Sequence, residues 1–82
     1  MPGAQAIILI QTDIGMETKV RDKLLKIPEV KAVYIVYGIY DIVTIIEADS
    51  LERIRKVILE QIRTMSGIRT TTTMVVVEGK VK

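Results

Sequence analysis

The residues best able to bind a small molecule lie in the segment YGIYD at residues 37–41. Asp41 precedes an apolar run, where a carboxylate is costly unless it is paired. It can hold a ligand ammonium group by a charge-assisted hydrogen bond, or it can accept hydrogen bonds from turn amides. Tyr40 offers a flat apolar face with one hydroxyl, which suits a pocket wall. Gly38 can let a ligand approach closely, or it can simply supply the positive φ that a turn needs.

A run of four threonines, residues 70–73, is the second candidate for binding. Side chains alternate between the two faces of a strand, so one pair can present hydroxyls to a ligand carboxylate while the other packs. The alternative is that the threonines only favour a β-strand. The chain has no histidine and no cysteine, which removes the commonest general base and metal ligands. We therefore predict no catalytic residue, no metal site, no cofactor and no enzyme.

Composition and charge exclude further classes of protein. The 82 residues are 49% hydrophobic and 27% charged, which is typical of one folded domain. A net charge of +2 is too balanced to be the electrostatic footprint of a nucleic-acid-binding protein. No apolar run reaches the roughly 18 residues of a membrane span, so we expect no membrane partner and, by default, a cytoplasmic location.

Hydrophobic periodicity predicts four strands and two helices. Short β-branched runs bounded by glycine or proline indicate strands at residues 4–12, 30–37, 40–47 and 69–78. Gly38 separates the second strand from the third, which predicts a tight hairpin.

The helices are predicted between the strands. The first spans residues 16–27 on helical spacing, and Pro28 ends it because the residue before a proline avoids the α region. The second begins with Asp49 in a capping box, with Ser50 as the competing cap, and it ends at Gly67.

The order βαββαβ is typical of the ferredoxin-like α+β sandwich, in which two helices cover one face of a four-stranded antiparallel sheet. We expect a single domain over residues 1–82. The second face of such a sheet should be polar. In the runs 7–10, 33–36 and 75–77, however, the residues that would face either side of the sheet are all apolar. Strands of this kind are normally buried on both sides, and in so short a chain the expected cover is another copy. We therefore predict a homo-oligomer, either a dimer or a larger closed ring.

Three motifs occur in a fixed order: IPEV at residues 27–30, YGIYD at 37–41, and GI at 67–68 before the threonine-rich strand. Together they resemble the effector-binding domain, called RAM, of the Lrp/AsnC family of feast/famine transcriptional regulators. The resemblance covers about residues 6–78. The usual members of the family carry an N-terminal helix-turn-helix domain, whereas this chain starts at the first strand and is similar to the stand-alone RAM proteins. Direct reading of nucleic acid is therefore not expected.

The resemblance implies that the domain dimerises through its sheets, that dimers assemble into rings, and that an amino acid or other small metabolite binds between dimers near the hairpin. It also implies full-length Lrp/AsnC regulators as partners. Ile39 stands where the family often has an acidic residue, which favours a less polar ligand. Carried over by position, the ligand-binding residues are Gly38, Tyr40, Asp41, Thr71 and Thr73.

Three other classes share this fold type. An ACT-type regulatory module also binds amino acids at interfaces, but the hairpin motif fits the RAM domain better. A dimeric ferredoxin-like enzyme would need catalytic groups other than histidine and cysteine. An RNA-recognition module would need exposed aromatic residues on its central strands, and this chain has no phenylalanine.

Overall fold

The structure is a computed structural model that describes residues 3–82, so residues 1 and 2 of the predicted domain lie outside the described residues. The sheet has the strand order β2-β3-β1-β4, and every pairing is antiparallel. This arrangement confirms the ferredoxin-like α+β sandwich. The elements are β1 (Ala4–Thr12), α1 (Glu17–Leu24), β2 (Val30–Ile35), β3 (Ile42–Ala48), α2 (Leu51–Val57), a π turn that continues α2 (Ile58–Ile62), and β4 (Ile68–Val75).

Strands β1 and β3 divide their side chains between the two faces of the sheet. Ile8, Ile10 and Ile42 face the helices and are fully buried, whereas the alternate residues of both strands are only half-buried. This two-residue periodicity places one core between the sheet and the helices. That core consists of Ala6, Ile8, Ile10, Val20, Leu24, Ile27, Val30, Ile42, Ile46, Ile54, Val57, Ile58 and Ile62.

The sheet surface that faces away from the helices is also apolar, as predicted from the runs in which every residue is apolar. Tyr34 is 57% exposed and Met74 is 44% exposed, because the helices pack only on the other side. Cross-strand pairing makes this surface continuous over all four strands. We call it the open face, and its apolar residues are Ile7, Leu9, Ala32, Tyr34, Val43, Ile45 and Met74.

The strands are shorter than predicted on both sides of the hairpin. Strand β2 ends at Ile35 and β3 begins at Ile42, so residues 36–41 form a longer connection and the predicted tight hairpin is wrong. A hydrogen bond from the Val36 amide to the Asp41 carbonyl, 2.9 Å, still closes this connection. The last strand was also predicted too long, because β4 ends at Val75 and the chain beyond it is largely exposed.

The helix ends also differ in detail. Helix α1 ends at Leu24, and Ile27 follows in a turn in which its amide donates to the Leu24 carbonyl at 3.0 Å. Ile27 is nevertheless buried. The helical spacing that includes Ile27 therefore predicted its burial correctly, but it did not predict where the helix ends. Ser50 caps α2, and its hydroxyl accepts a hydrogen bond from the Arg53 amide at 3.1 Å. The prediction of Asp49 as the cap was wrong.

One ion pair links the start of β2 to α2. The Nη2 atom of Arg53 lies 2.9 Å from Oε2 of Glu29, and Nε of Arg53 donates to the same oxygen at 2.9 Å. This hydrogen bond is the main reason that the pKa of Glu29 lies below its ordinary value of 4.5, and partial burial opposes it. The backbone adds a second connection, because the Glu47 amide donates to the Glu29 carbonyl at 3.0 Å.

Replacing Glu29 with glutamine should change how stability depends on pH. Because the folded pKa of Glu29 is lowered, its charge stabilises the fold above pH 4.5, and this contribution is lost as the pH falls through the folded pKa. At pH 7 the Glu29→Gln variant should lose up to about 1 kcal/mol of unfolding free energy, since Arg53 is half exposed. Urea unfolding between pH 7 and pH 3 measures this difference, which should shrink with acidification.

The matched control is Glu52→Gln, on the same helix as Arg53. It removes an exposed carboxylate, and this carboxylate has no ion pair among residues 3–82. A Glu29→Gln difference that stayed constant across the pH range would contradict the assignment.

Candidate functional site

Asp41 organises the end of the sheet at which the 36–41 connection lies. Its amide donates to the Ile10 carbonyl at 2.9 Å, and its Oδ2 accepts a hydrogen bond from the Thr12 amide at 2.8 Å. The pairing of β1 with β3 ends at Ile10 and Ile42, so β3 offers no backbone acceptor for the Thr12 amide. The carboxylate therefore satisfies this backbone donor on a neighbouring strand and not in its own turn.

The tip of the connection presents apolar side chains to solvent. Tyr37 is fully exposed and Ile39 is 80% exposed. The tip is tied to the sheet by Gln11, whose Nε2 donates to the Ile39 carbonyl at 2.7 Å. Gly38 has a φ of 153°, and a Cβ atom there would meet no other atom within 4 Å. The backbone conformation, and not a lack of space, is thus what favours glycine at this position.

Tyr40 contacts the last strand on the open-face side of the sheet. Its hydroxyl lies 3.4 Å from Oγ1 of Thr72, and nearby Oγ1 of Thr70 donates to Oε1 of Gln11 at 2.7 Å. Gln11 and Thr72 were not among the residues predicted to bind a ligand. Gln11 could have been noticed as the polar end of an otherwise apolar strand face, but the position of Thr72 beside Tyr40 depends on long-range pairing.

Thr71 and Thr73 lie on the other side of the sheet. They pair with Ile10 and Ile8, which are core residues, so their side chains share the helix-facing side. There they line a groove of about 710 Å³ between β4, α2 and the π turn, which we call the α2–β4 groove. Within one chain the structure thus brings Gly38, Tyr40 and Asp41 together in the 36–41 connection and separates them from the two threonines.

Residues 5–82 match the family model of the Lrp/AsnC ligand binding domain. This chain belongs to the Lrp/AsnC family. The match extends over both candidate regions and confirms the interpretation of the three sequence motifs. Within residues 3–82 of this Lrp/AsnC domain, neither helix has the length and apolarity needed to cross a membrane.

The relatives of this Lrp/AsnC domain are regulators and similar small proteins. An uncharacterized HTH-type transcriptional regulator of Pyrococcus furiosus is 37% identical over 76 residues, which is 89% of this chain and 51% of the relative. The chain therefore spans about half the length of that relative. It is a ligand-binding domain related to transcriptional regulators.

Two solved structures illustrate the likeness. A hypothetical protein from Pyrococcus horikoshii is 42% identical, with a TM-score of 0.87, over 93% of this chain and 92% of that one. AsnC of E. coli has a TM-score of 0.90 at 22% identity, over 98% of this chain and 54% of that one. At this lower identity the second likeness shows a shared fold.

Removing the carboxylate of Asp41 should destabilise the Lrp/AsnC domain. Asp41→Ala leaves the Thr12 amide without its acceptor and should lower the unfolding free energy by about 1–3 kcal/mol. Asp41→Asn keeps a side-chain oxygen as acceptor and should cost less. Urea unfolding followed by circular dichroism measures both. Asp22→Ala, at an exposed position on α1, is the control, and an equal loss in Asp22→Ala and Asp41→Ala would contradict the structural role.

Proposed function

We propose that this Lrp/AsnC domain senses an amino acid or another small metabolite and works as a homo-oligomer. Its partners in this proposal are further copies of the chain and full-length Lrp/AsnC regulators in the cytoplasm. The domain carries out no catalysis and does not itself read nucleic acid. The observation that carries the proposal is the match of residues 5–82 to the family's ligand-binding domain.

The open face supports assembly through the sheets. Its centre is built from the cross-strand pairs Ile7–Ile45 and Leu9–Val43. Apolar surface removed from water contributes about 25 cal/mol per Å², so covering this face favours association. A second copy related by a two-fold axis presents the same surface, and two such sheets can pack face to face at about 10 Å. The same surface of a full-length regulator offers an equivalent partner.

The geometry of Asp41 supports binding of an ammonium group. The Thr12 amide occupies Oδ2, and a carboxylate has two oxygens, so Oδ1 can accept a charge-assisted hydrogen bond from a ligand. Tyr40 and Gly38 belong to the same connection and form the adjoining surface. The exposed Ile39 beside them suits a ligand with an apolar side chain.

The separation of the predicted site residues supports a ligand shared between copies. Thr71 and Thr73 can donate hydrogen bonds to a ligand carboxylate, but they lie on the helix-facing side of the sheet. A ligand that uses both sets of residues therefore lies between the 36–41 connection of one copy and β4 of another. Binding at such a site changes assembly, because a ligand shifts an equilibrium by its differential affinity for the two states.

Substitution at the centre of the open face should dissociate the oligomer. Leu9→Arg places a charge where the two sheets would meet, and an unpaired buried charge is strongly unfavourable. Size-exclusion chromatography with light scattering should show an oligomer for the wild type and a monomer for Leu9→Arg. Leu25→Arg, at a 55% exposed position after α1, should keep the mass of the wild type. A wild-type monomer at micromolar concentration would overturn the proposed assembly.

Calorimetric titration with each of the twenty amino acids tests the ligand. We expect saturable binding of one apolar class, with dissociation constants from about micromolar to millimolar, or roughly −8 to −4 kcal/mol. Asp41→Asn should abolish this binding, because it removes the charge while keeping an oxygen for the Thr12 amide. Asp22→Asn is the matched control and should bind normally. Absence of heat with every amino acid would exclude amino acids as the ligand.

A further inference from the structure

The α2–β4 groove exists because the two helices leave the last strand uncovered. On β1 the helix-facing residues Ile8 and Ile10 are fully buried, whereas on β4 Thr73 is exposed and Val75 is 44% exposed. The opposite wall is the outer side of α2 and the π turn. A volume of about 710 Å³ lies in the range of about 300–1,000 Å³ found for small-molecule sites.

The π turn brings a second arginine of the helix into the groove. On an α-helix, two residues four positions apart differ by about 40° in their direction around the helix axis. Side chains at positions i, i+4 and i+8 would therefore turn progressively away from β4. The wider π turn, closed by the Arg63 amide on the Ile58 carbonyl at 2.9 Å, rotates less per residue and offsets this drift. Arg55, Leu59 and Arg63 consequently all line the groove.

The groove carries positive charge without a carboxylate of its own. Arg55, Arg63 and Arg69 line it, and no aspartate or glutamate does. Among residues 3–82, Arg55 and Arg63 have no carboxylate within 4.0 Å, and Nε of Arg69 reaches Oδ1 of Asp13 only at 4.0 Å. Guanidinium groups bind carboxylates through paired, charge-assisted hydrogen bonds, so these side chains fit an anionic group.

Apart from three threonines of β4, the remainder of the lining is apolar. Ile54 and Ile58 are buried at its base, and Leu51, Leu59 and Val75 are about half exposed along its walls. An inorganic anion or a polyanion would use the arginines and leave this surface wet. An apolar chain that ends in a carboxylate uses both parts of the lining.

We propose that the α2–β4 groove binds an apolar monocarboxylate, with the carboxylate on Arg55 and Arg63 and the hydrocarbon chain on the isoleucine base. One chain supplies this site, so it does not require assembly, and it shares only Thr71 and Thr73 with the amino-acid site proposed above. A free ammonium group is disfavoured here because it would face three guanidinium groups. The groove therefore selects acids without an amino group, unlike the Asp41 region.

The test is calorimetric titration with octanoate and with 1-octanol, which has the same chain without the charge. Octanoate should bind the wild type more tightly than 1-octanol, and added salt should weaken only octanoate binding. Arg55→Gln combined with Arg63→Gln should weaken octanoate binding about tenfold or more and leave 1-octanol unaffected. Arg21→Gln combined with Lys26→Gln removes two cations from α1 and its end, and this control should bind octanoate normally.

Unchanged octanoate binding in the Arg55/Arg63 variant would overturn the proposal, as would equal binding of octanoate and 1-octanol. A change in oligomeric mass in this variant, with unchanged octanoate affinity, would assign the groove to a second copy instead. The result is separable from the proposed sensing function. Octanoate binding without any amino-acid binding supports the groove alone, and the reverse result supports the Asp41 region alone.

Discussion

The helices cover only one face of a sheet that is apolar on both faces, and the rest of the structure depends on this unequal covering. Ile8 and Ile10 are sealed beneath two helices, while Ile7 and Leu9 in the same strand face outward. A domain of 82 residues has only a small core from which to gain stability. Covering the second face would add apolar burial that the single chain lacks, on the same strands that build the core.

The same alternation distributes the polar groups of β4. Thr70 and Thr72 point to the side on which Gln11 and Tyr40 lie, whereas Thr71 and Thr73 point into the groove beneath α2. One strand thus supplies hydroxyls to two separate surfaces.

The sequence was sufficient for the order of elements and for the core, because the spacing of apolar residues is a local property of the chain. Ile54, Ile58 and Ile62 are buried, and they stand four residues apart. The same spacing accommodates an α-helix or a π turn, so the widening of the helix could not be predicted from it. The choice of Ser50 over Asp49 as the cap depends on which residue adopts the extended backbone, here φ −148° and ψ 158° at Ser50. Both residue types are good caps, so composition could not separate them.

The candidate site was predictable only in part, since its geometry depends on pairing between distant strands. YGIYD marked the connection correctly as a distinctive segment, but its length follows from where β2 and β3 separate. That Asp41 accepts from Thr12, across 29 positions of sequence, follows from where the pairing of β1 with β3 ends. No local pattern reports the end of such a pairing. The three motifs lie at or beside the connections between elements, and the family model that matches residues 5–82 confirms their interpretation.

Gln11 joins two parts of the molecule through one planar amide. Its Nε2 donates a hydrogen bond to the Ile39 carbonyl and its Oε1 accepts one from the Thr70 hydroxyl, both at 2.7 Å. Because the donor and acceptor of an amide are fixed relative to each other, a displacement of the tip rotates the whole group and moves its second partner. The tip and the edge strand are therefore mechanically coupled across β1. The tip is thereby connected to β4, one wall of the groove, by two side-chain hydrogen bonds that do not involve the core.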